Sequence, residues 1–208
     1  MPIGRTAQRT RTYAQKGAAL AGDLRGSVRP WLLGLQARAA ARLGDEDGVR
    51  AATEAASDLR ERVVPDELDQ LGGLLTYSET KQLYYTVEAE TLLRHGNDGL
   101  GRQAEQAVEG FSNRDTADWA FGDLAGAQCN LALVRLFSGD VDGAREAMSS
   151  VLSLPPTYRN NGITVSAMRV REALDHGPVR TAVTPSELRE EIAAFPPRGP
   201  ALLPGSRV

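Results

Sequence analysis

Leu131-Ala-Leu-Val-Arg-Leu-Phe-Ser-Gly-Asp-Val-Asp-Gly-Ala-Arg-Glu-Ala-Met-Ser-Ser-Val-Leu-Ser-Leu-Pro-Pro156 is the stretch on which the fold turns. It reads as the end of one helix, a tight break at Ser138-Gly139-Asp140, and a second helix halted by two prolines. Glycine enters the left-handed backbone region at least cost, so Gly139 suits the place just past a helix end. Asp140 and Asp142 offer carboxylates to the unpaired N–H groups of the next helix. Ala144, Ala147, Met148 and Val151 recur at intervals of three and four, which lays an apolar stripe along it. The stretch is therefore expected to be a helical hairpin.

An earlier segment has the same grammar. Gly44-Asp-Glu-Asp-Gly-Val-Arg-Ala-Ala52 matches Gly139-Asp-Val-Asp-Gly-Ala-Arg-Glu-Ala147 at six of its nine places and has Val for Ala at a seventh. Working outward, apolar periodicity places helices over about 5–25, 27–43, 45–63, 78–95, 97–111, 115–138, 140–154, 163–176 and 184–195. Ser27 is expected to cap the second, with Pro30 in its first turn, and Thr184-Pro-Ser-Glu187 reads as a capping box for the last. His95-Gly96 and His176-Gly177 close two helices, where an imidazole favours the helix dipole. Residues 64–77, with Pro65, Gly72-Gly73, Leu71, Leu74, Leu75 and Tyr77, form an apolar loop expected to pack against the helices. Residues 196–208 are rich in proline and glycine and read as a flexible tail. No segment alternates as a strand does, so the chain is all-α with about nine helices.

Composition narrows the class. One cysteine, Cys129, excludes an internal disulfide and a cysteine-based zinc cluster. No apolar run approaches the roughly 20 residues that span a bilayer, and no apolar stretch follows the N-terminal arginines, so a cytoplasmic protein without a membrane partner is expected. Residues 1–42 carry eight basic side chains against Asp23 alone, whereas residues 43–110 carry six against fifteen acidic ones. Scattered around helices, the basic residues read as solvated faces, and no direct nucleic-acid binding is expected.

In the hairpin at 131–156, Ala132, Gly139, Ala144, Met148 and Pro156 fall in the order of a tetratricopeptide repeat. Breaks at Gly44, Gly96 and Gly139, 52 and 43 residues apart, describe a degenerate array with longer helices than the 34-residue consensus. With Arg-Ala-Ala-Ala-Arg-Leu-Gly-Asp at 38–45, Leu71-Gly-Gly-Leu-Leu75 and Lys81-Gln-Leu-Tyr-Tyr85, the chain resembles the C-terminal tetratricopeptide-like region of actinobacterial helix-turn-helix regulators. The resemblance implies a single TPR-like domain over 1–195, with antiparallel hairpins stacked as an α-solenoid. It also implies the sensor half of a regulator, reading a peptide, protein or small-molecule effector. No helix-turn-helix is recognisable, and the first helix reads as the second member of a hairpin whose first member is absent, so the chain is expected to be either a fragment or a family member that has lost its N-terminal part. A homodimer is compatible with this reading.

No catalytic signature stands out. Gly99-x-Gly101-x-x-Ala104 fits a relaxed dinucleotide fingerprint, but a helix precedes it where that motif needs a strand. Glu88 and Glu90, two apart on a helix, point in different directions and form no acid–base pair. The expectation is a non-catalytic domain with no metal and no cofactor, the alternatives being a small-molecule enzyme with a dispersed site or a purely structural remnant. In tetratricopeptide folds the first helix of each hairpin lines a concave groove. Carried over by register, this implies Trp31, Arg38 and Arg42 from one helix, Thr86, Glu90 and Arg94 from the next, and Cys129, Leu133 and Phe137 from the third. The third helix is apolar all round and must be covered twice. The expected cover is a ligand, a partner helix or the chain's own Leu202-Leu203.

Overall fold

The computed structural model describes residues 2–22, 25–116, 119–176 and 183–195; the tail, Gly177 and the side chains of His176 and Thr184 fall outside what is described. Ten α-helices are present among these residues, with no strand: α1 (Pro2–Ala21), α2 (Val28–Arg42), α3 (Glu46–Arg60), α4 (Glu67–Gln70), α5 (Glu79–Leu92), α6 (Asp98–Ser112), α7 (Phe121–Phe137), α8 (Val141–Leu152), α9 (Asn161–His176) and α10 (Val183–Ala193). The tenth beyond the expected nine is α4, a single turn inside the 64–77 loop.

Packing follows chain order. α2 packs on α1, α3 and α5; α5 on α6 and α7; α7 on α8 and α9; α9 on α10, which returns to α8. Side-chain size explains how α2 takes three neighbours. Gly34, Ala37, Ala39, Ala40 and Ala41 are all buried, and such short side chains let helices approach from several directions. From Ala125 to Leu136 α7 buries every residue but Gln128 and Arg135, and the second cover it needs is supplied by α9. The main core joins α7, α8, α9 and α10 through Met148, Val151, Val170, Leu174, Leu188 and Ile192, all fully buried. Each such side chain contributes about 1.5–3 kcal/mol on leaving water.

The two matching segments behave alike. Asp45 caps α3 by accepting from the Gly48 N–H at 2.8 Å, and Asp140 caps α8 by accepting from the Gly143 N–H at 2.8 Å. The helices before them close with the same pair of bonds: Gly44 N to Ala41 O and Asp45 N to Ala40 O, then Gly139 N to Leu136 O and Asp140 N to Arg135 O. Gly44 (φ 72°) and Gly139 (φ 86°) take the left-handed turn. In the α5–α6 hairpin the equivalent bonds are Arg94 N to Thr91 O and His95 N to Glu90 O, and the left-handed residue is Arg94, at φ 65°. The reading of Gly96 as that hinge is corrected. Gly96 serves close approach instead, because a Cβ there would sit 2.6 Å from Phe137 Cβ and 2.8 Å from Val134 O.

Three further expectations change. Ser27 makes no cap bond to α2; its hydroxyl donates to Asp69 and accepts from the Tyr77 N–H at 2.9 Å. In the 64–77 loop Leu71 is 70% exposed and Val64, Leu68 and Leu75 are also exposed, so that Tyr77 is buried but these apolar side chains are not. Polar bonds hold the loop: Arg60 donates to Tyr77 O at 2.7 Å, and the Lys81 ammonium donates to Gly73 O at 2.9 Å and Thr76 O at 3.0 Å. Finally, α7 starts at Phe121 rather than near Asp115, with Ala120 at its cap position and no side-chain cap bond.

Candidate functional site

α2 presents Arg38 and Arg42 one turn apart on a single face. α5 presents Tyr84, Glu88 and Thr91, and α9 presents Arg169. Arg38 forks onto Glu88, with Nε 2.8 Å from Oε2 and a terminal nitrogen donating to Oε1 at 3.1 Å. Its guanidinium carbon lies 4.4 Å from the centre of the Tyr85 ring. Arg169 reaches the same carboxylate from the other side at 3.4 Å and donates to Thr91 Oγ1 at 3.0 Å. Glu88 is only 5% exposed. Burying a carboxylate is costly unless it is paired and hydrogen-bonded, and here two arginines do both.

The two arginines respond differently. Burial pulls the Arg38 guanidinium down, but Glu88, helped by Tyr85 and Tyr84, more than offsets it and the pKa rises. Arg169 has one longer contact to Glu88, so burial prevails, with the charge of Arg42 adding to it, and the pKa falls.

Three cavities meet at Arg42. One of about 360 Å³ lies between α1 and α2, walled by Ala7, Thr10, Leu35, Arg38 and Ala39. A second, about 570 Å³, is bounded by Arg38, Tyr84, Glu88 and Arg169 and by the first turns of α7 and α9, including Phe121, Asp123, Asn160 and Gly162. The third, about 230 Å³, is lined by Arg42, Thr91, Leu92, Arg94, Leu133, Phe137, Arg169, Glu172 and Ala173. Helix first turns carry partial positive charge, which adds to that of the arginines in the second cavity. Neither Arg42 nor Arg94 forms an ion pair with any described residue. Arg94 lies over the Phe137 ring at 5.7 Å.

Of the nine residues expected in the groove, Arg38, Arg42, Arg94, Leu133 and Phe137 border these cavities. The other four lie elsewhere. Trp31 stacks on Tyr77 with ring centres 6.3 Å apart, at one end of an aromatic chain running through Tyr85 and Tyr84 to Phe111. Thr86 and Glu90 line a separate hollow between α5 and α6, and Glu90 accepts from or pairs with His95 Nδ1 at 2.7 Å. Two residues of helix turn through about 200°, so a register displaced by two puts Tyr84 and Glu88 where Thr86 and Glu90 were placed. Cys129 is 0% exposed, and burial pushes its thiol up to about 12.

In the sequence Glu88 is weighed only as half of an acid–base pair with Glu90, and Arg169 is not weighed at all. The available signal was Glu88 between Val87 and Ala89, both fully buried, in a helix packed on several sides. Gly99-x-Gly101-x-x-Ala104 lies in the first two turns of α6, with no strand before it. Among the described residues no group of three His, Cys, Asp or Glu side chains is placed to hold a metal, and no helix is long and apolar enough to cross a membrane. Compared with family models, curated proteins and solved structures, the chain matches none.

Proposed function

We propose that this chain is a non-catalytic, TPR-like helical-repeat module, its antiparallel hairpins stacked as an α-solenoid, that binds a peptide, protein or small effector in the groove centred on Arg42. As a repeat array, α2–α3, α5–α6, α7–α8 and α9–α10 are successive hairpins, each packed on its neighbour in the chain. The carrying observation is that Arg42, without an ion-pair partner among the described residues, borders three adjoining cavities lined by α1, α2, α5, α7 and α9. A concave, pre-formed surface with a few polar groups on a rigid scaffold is the usual form of a binding site. The resemblance to the sensor regions of helix-turn-helix regulators supports a regulatory role.

The test is selection from a random peptide library displayed on phage, using the wild-type chain as bait and Arg42→Glu as the counter-bait. The expected result is enrichment of peptides that bind the wild type and lose affinity for the variant, whose unfolding curve is unchanged. Enriched peptides indifferent to both Arg42→Glu and Arg94→Glu would show that the binding surface lies outside the groove.

A further inference from the structure

We infer that the groove takes a carboxylate between Arg42 and Arg94, with the apolar part of the same ligand laid against Phe137. The inference rests on the groove reading above and names the chemistry of its ligand.

Three guanidiniums, those of Arg42, Arg94 and Arg169, line the smallest of the adjoining cavities against one carboxylate, Glu172. Arg169 is occupied: Glu88 and Thr91 hold it from behind. Arg42 and Arg94 have no carboxylate partner among the described residues. An anion arriving between them therefore has no internal pair to break, and a guanidinium fork matches a carboxylate in two parallel bonds. The same cavity has an apolar stretch, the half-buried Phe137 ring of α7 beneath Arg94, with the buried Leu133 behind it. An acid group attached to a hydrophobic residue would satisfy both the arginines and the ring.

Backbone geometry at Arg94 supports the same assignment independently. Arg94 stands where the sister hairpins have Gly44 and Gly139, in a left-handed conformation (φ 65°) that disfavours any side chain beyond glycine. Strain retained at one residue points to a use for its side chain, and this side chain borders the cavity.

The carboxylate has two sources, a chain terminus or an acidic side chain, and the test separates them. The full chain, labelled with 15N, is titrated with N-acetyl-Leu-Phe, its C-terminal amide, N-acetyl-Glu-Leu-Phe-amide and inorganic phosphate, following the arginine Nε–H resonances. At least one carboxylate peptide is expected to shift Arg42 and Arg94 and to bind about tenfold more tightly than the amide, the equivalent of 1.4 kcal/mol. Whichever peptide does so identifies the source. Arg42→Gln and Arg94→Gly should each weaken it about tenfold, while Arg50→Gln on the outer face of α3 leaves it unchanged. Thermal unfolding of each variant reports that the fold is retained. Equal binding of acid and amide forms in this cavity would overturn the carboxylate assignment and leave the groove reading standing. Phosphate binding as tightly as the peptides would also overturn it, since Phe137 would then contribute nothing. If no probe moves either arginine, the assignment fails, and the groove reading is judged by the peptide selection alone.

Discussion

Arg94 ends α5 with the same pair of backbone hydrogen bonds that Gly139 uses to end α7, and both residues sit in the left-handed region. One is glycine and the other is not. A left-handed conformation costs a residue with a Cβ roughly 1–2 kcal/mol. Arg94→Gly should therefore stabilise the chain by about 1 kcal/mol, once the greater freedom of glycine in the unfolded state is subtracted. Gly139→Ala should destabilise it by a similar amount. Urea denaturation of both variants measures the difference, and a loss of stability in Arg94→Gly would contradict the account of that hinge.

Glu88 is the keystone between α2, α5 and α9. Removing one partner of a buried ion pair leaves uncompensated charge and costs about 3–5 kcal/mol. Glu88→Ala is expected at the low end, because Arg38 and Arg169 are each partly exposed and regain some hydration. Glu88→Gln, which retains hydrogen-bond acceptors, should lose less. The ranking is read from denaturation midpoints at equal slope.

Asp45 links pH to stability. Its carboxyl lies below the ordinary value of 3.8 because it accepts from the Gly48 N–H and, in addition, pairs with Arg11 at 2.7 Å. A folded-state pKa below the unfolded one gives stability that is present above the unfolded value and disappears as pH falls through the folded one. The stability gap between wild type and Asp45→Asn should thus be constant from neutral pH to about 5 and shrink below about 4. A gap that persists at pH 2 would mean that the charge of the cap contributes nothing.

Cys129 has no accessible surface, and its thiol is raised to about 12 by burial. Since the thiolate is the reactive form, iodoacetamide at pH 8 should leave the native chain unmodified for hours and alkylate it at once in denaturant. Mass spectrometry counts the adduct. Rapid labelling of the native chain would show that α9 opens away from α7.

Gly126 and Tyr84 offer a test of packing. A Cβ at Gly126 would collide with the Tyr84 hydroxyl oxygen. Overpacking costs about 1–3 kcal/mol, whereas glycine to alanine inside a helix gains about 1 kcal/mol. The collision should win, so Gly126→Ala destabilises the wild type by about 1 kcal/mol. With Tyr84→Phe the shortest contact is gone and the loss should shrink toward zero. A double-mutant cycle measures that coupling.

Much of the fold was legible because it is written locally. Gly44, Asp45, Gly139 and Asp140 sit at helix ends and act on groups no more than a turn away, so spacing alone located them. The Ala144–Val151 stripe gives the buried face of α8 for the same reason. The loop at 64–77 misled because its leucines suggest burial, while polar bonds hold it in place, from Arg60 and Lys81 on either side of it and from Ser27, 42 residues before Asp69. Gly96 misled because a glycine beside a helix end serves equally for a left-handed turn or for close approach, and only the position of Phe137 distinguishes the two.

The sequence by itself determined that this is an all-helical chain, where most of its long helices begin and end, and, for helices such as α8, which stripe avoids water. Those features depend on hydrogen bonds and periodicities spanning a few residues. The tertiary structure alone decided that Glu88 joins Arg38, 50 residues before it, to Arg169, 81 residues after it, and that Arg42 and Arg94, in the groove beside them, have no ion-pair partner among the described residues. That arrangement depends on how far each helix is rotated about its own axis when it packs. Two residues of rotational error exchange Glu88 for Glu90, and no local preference in the chain is strong enough to choose between them.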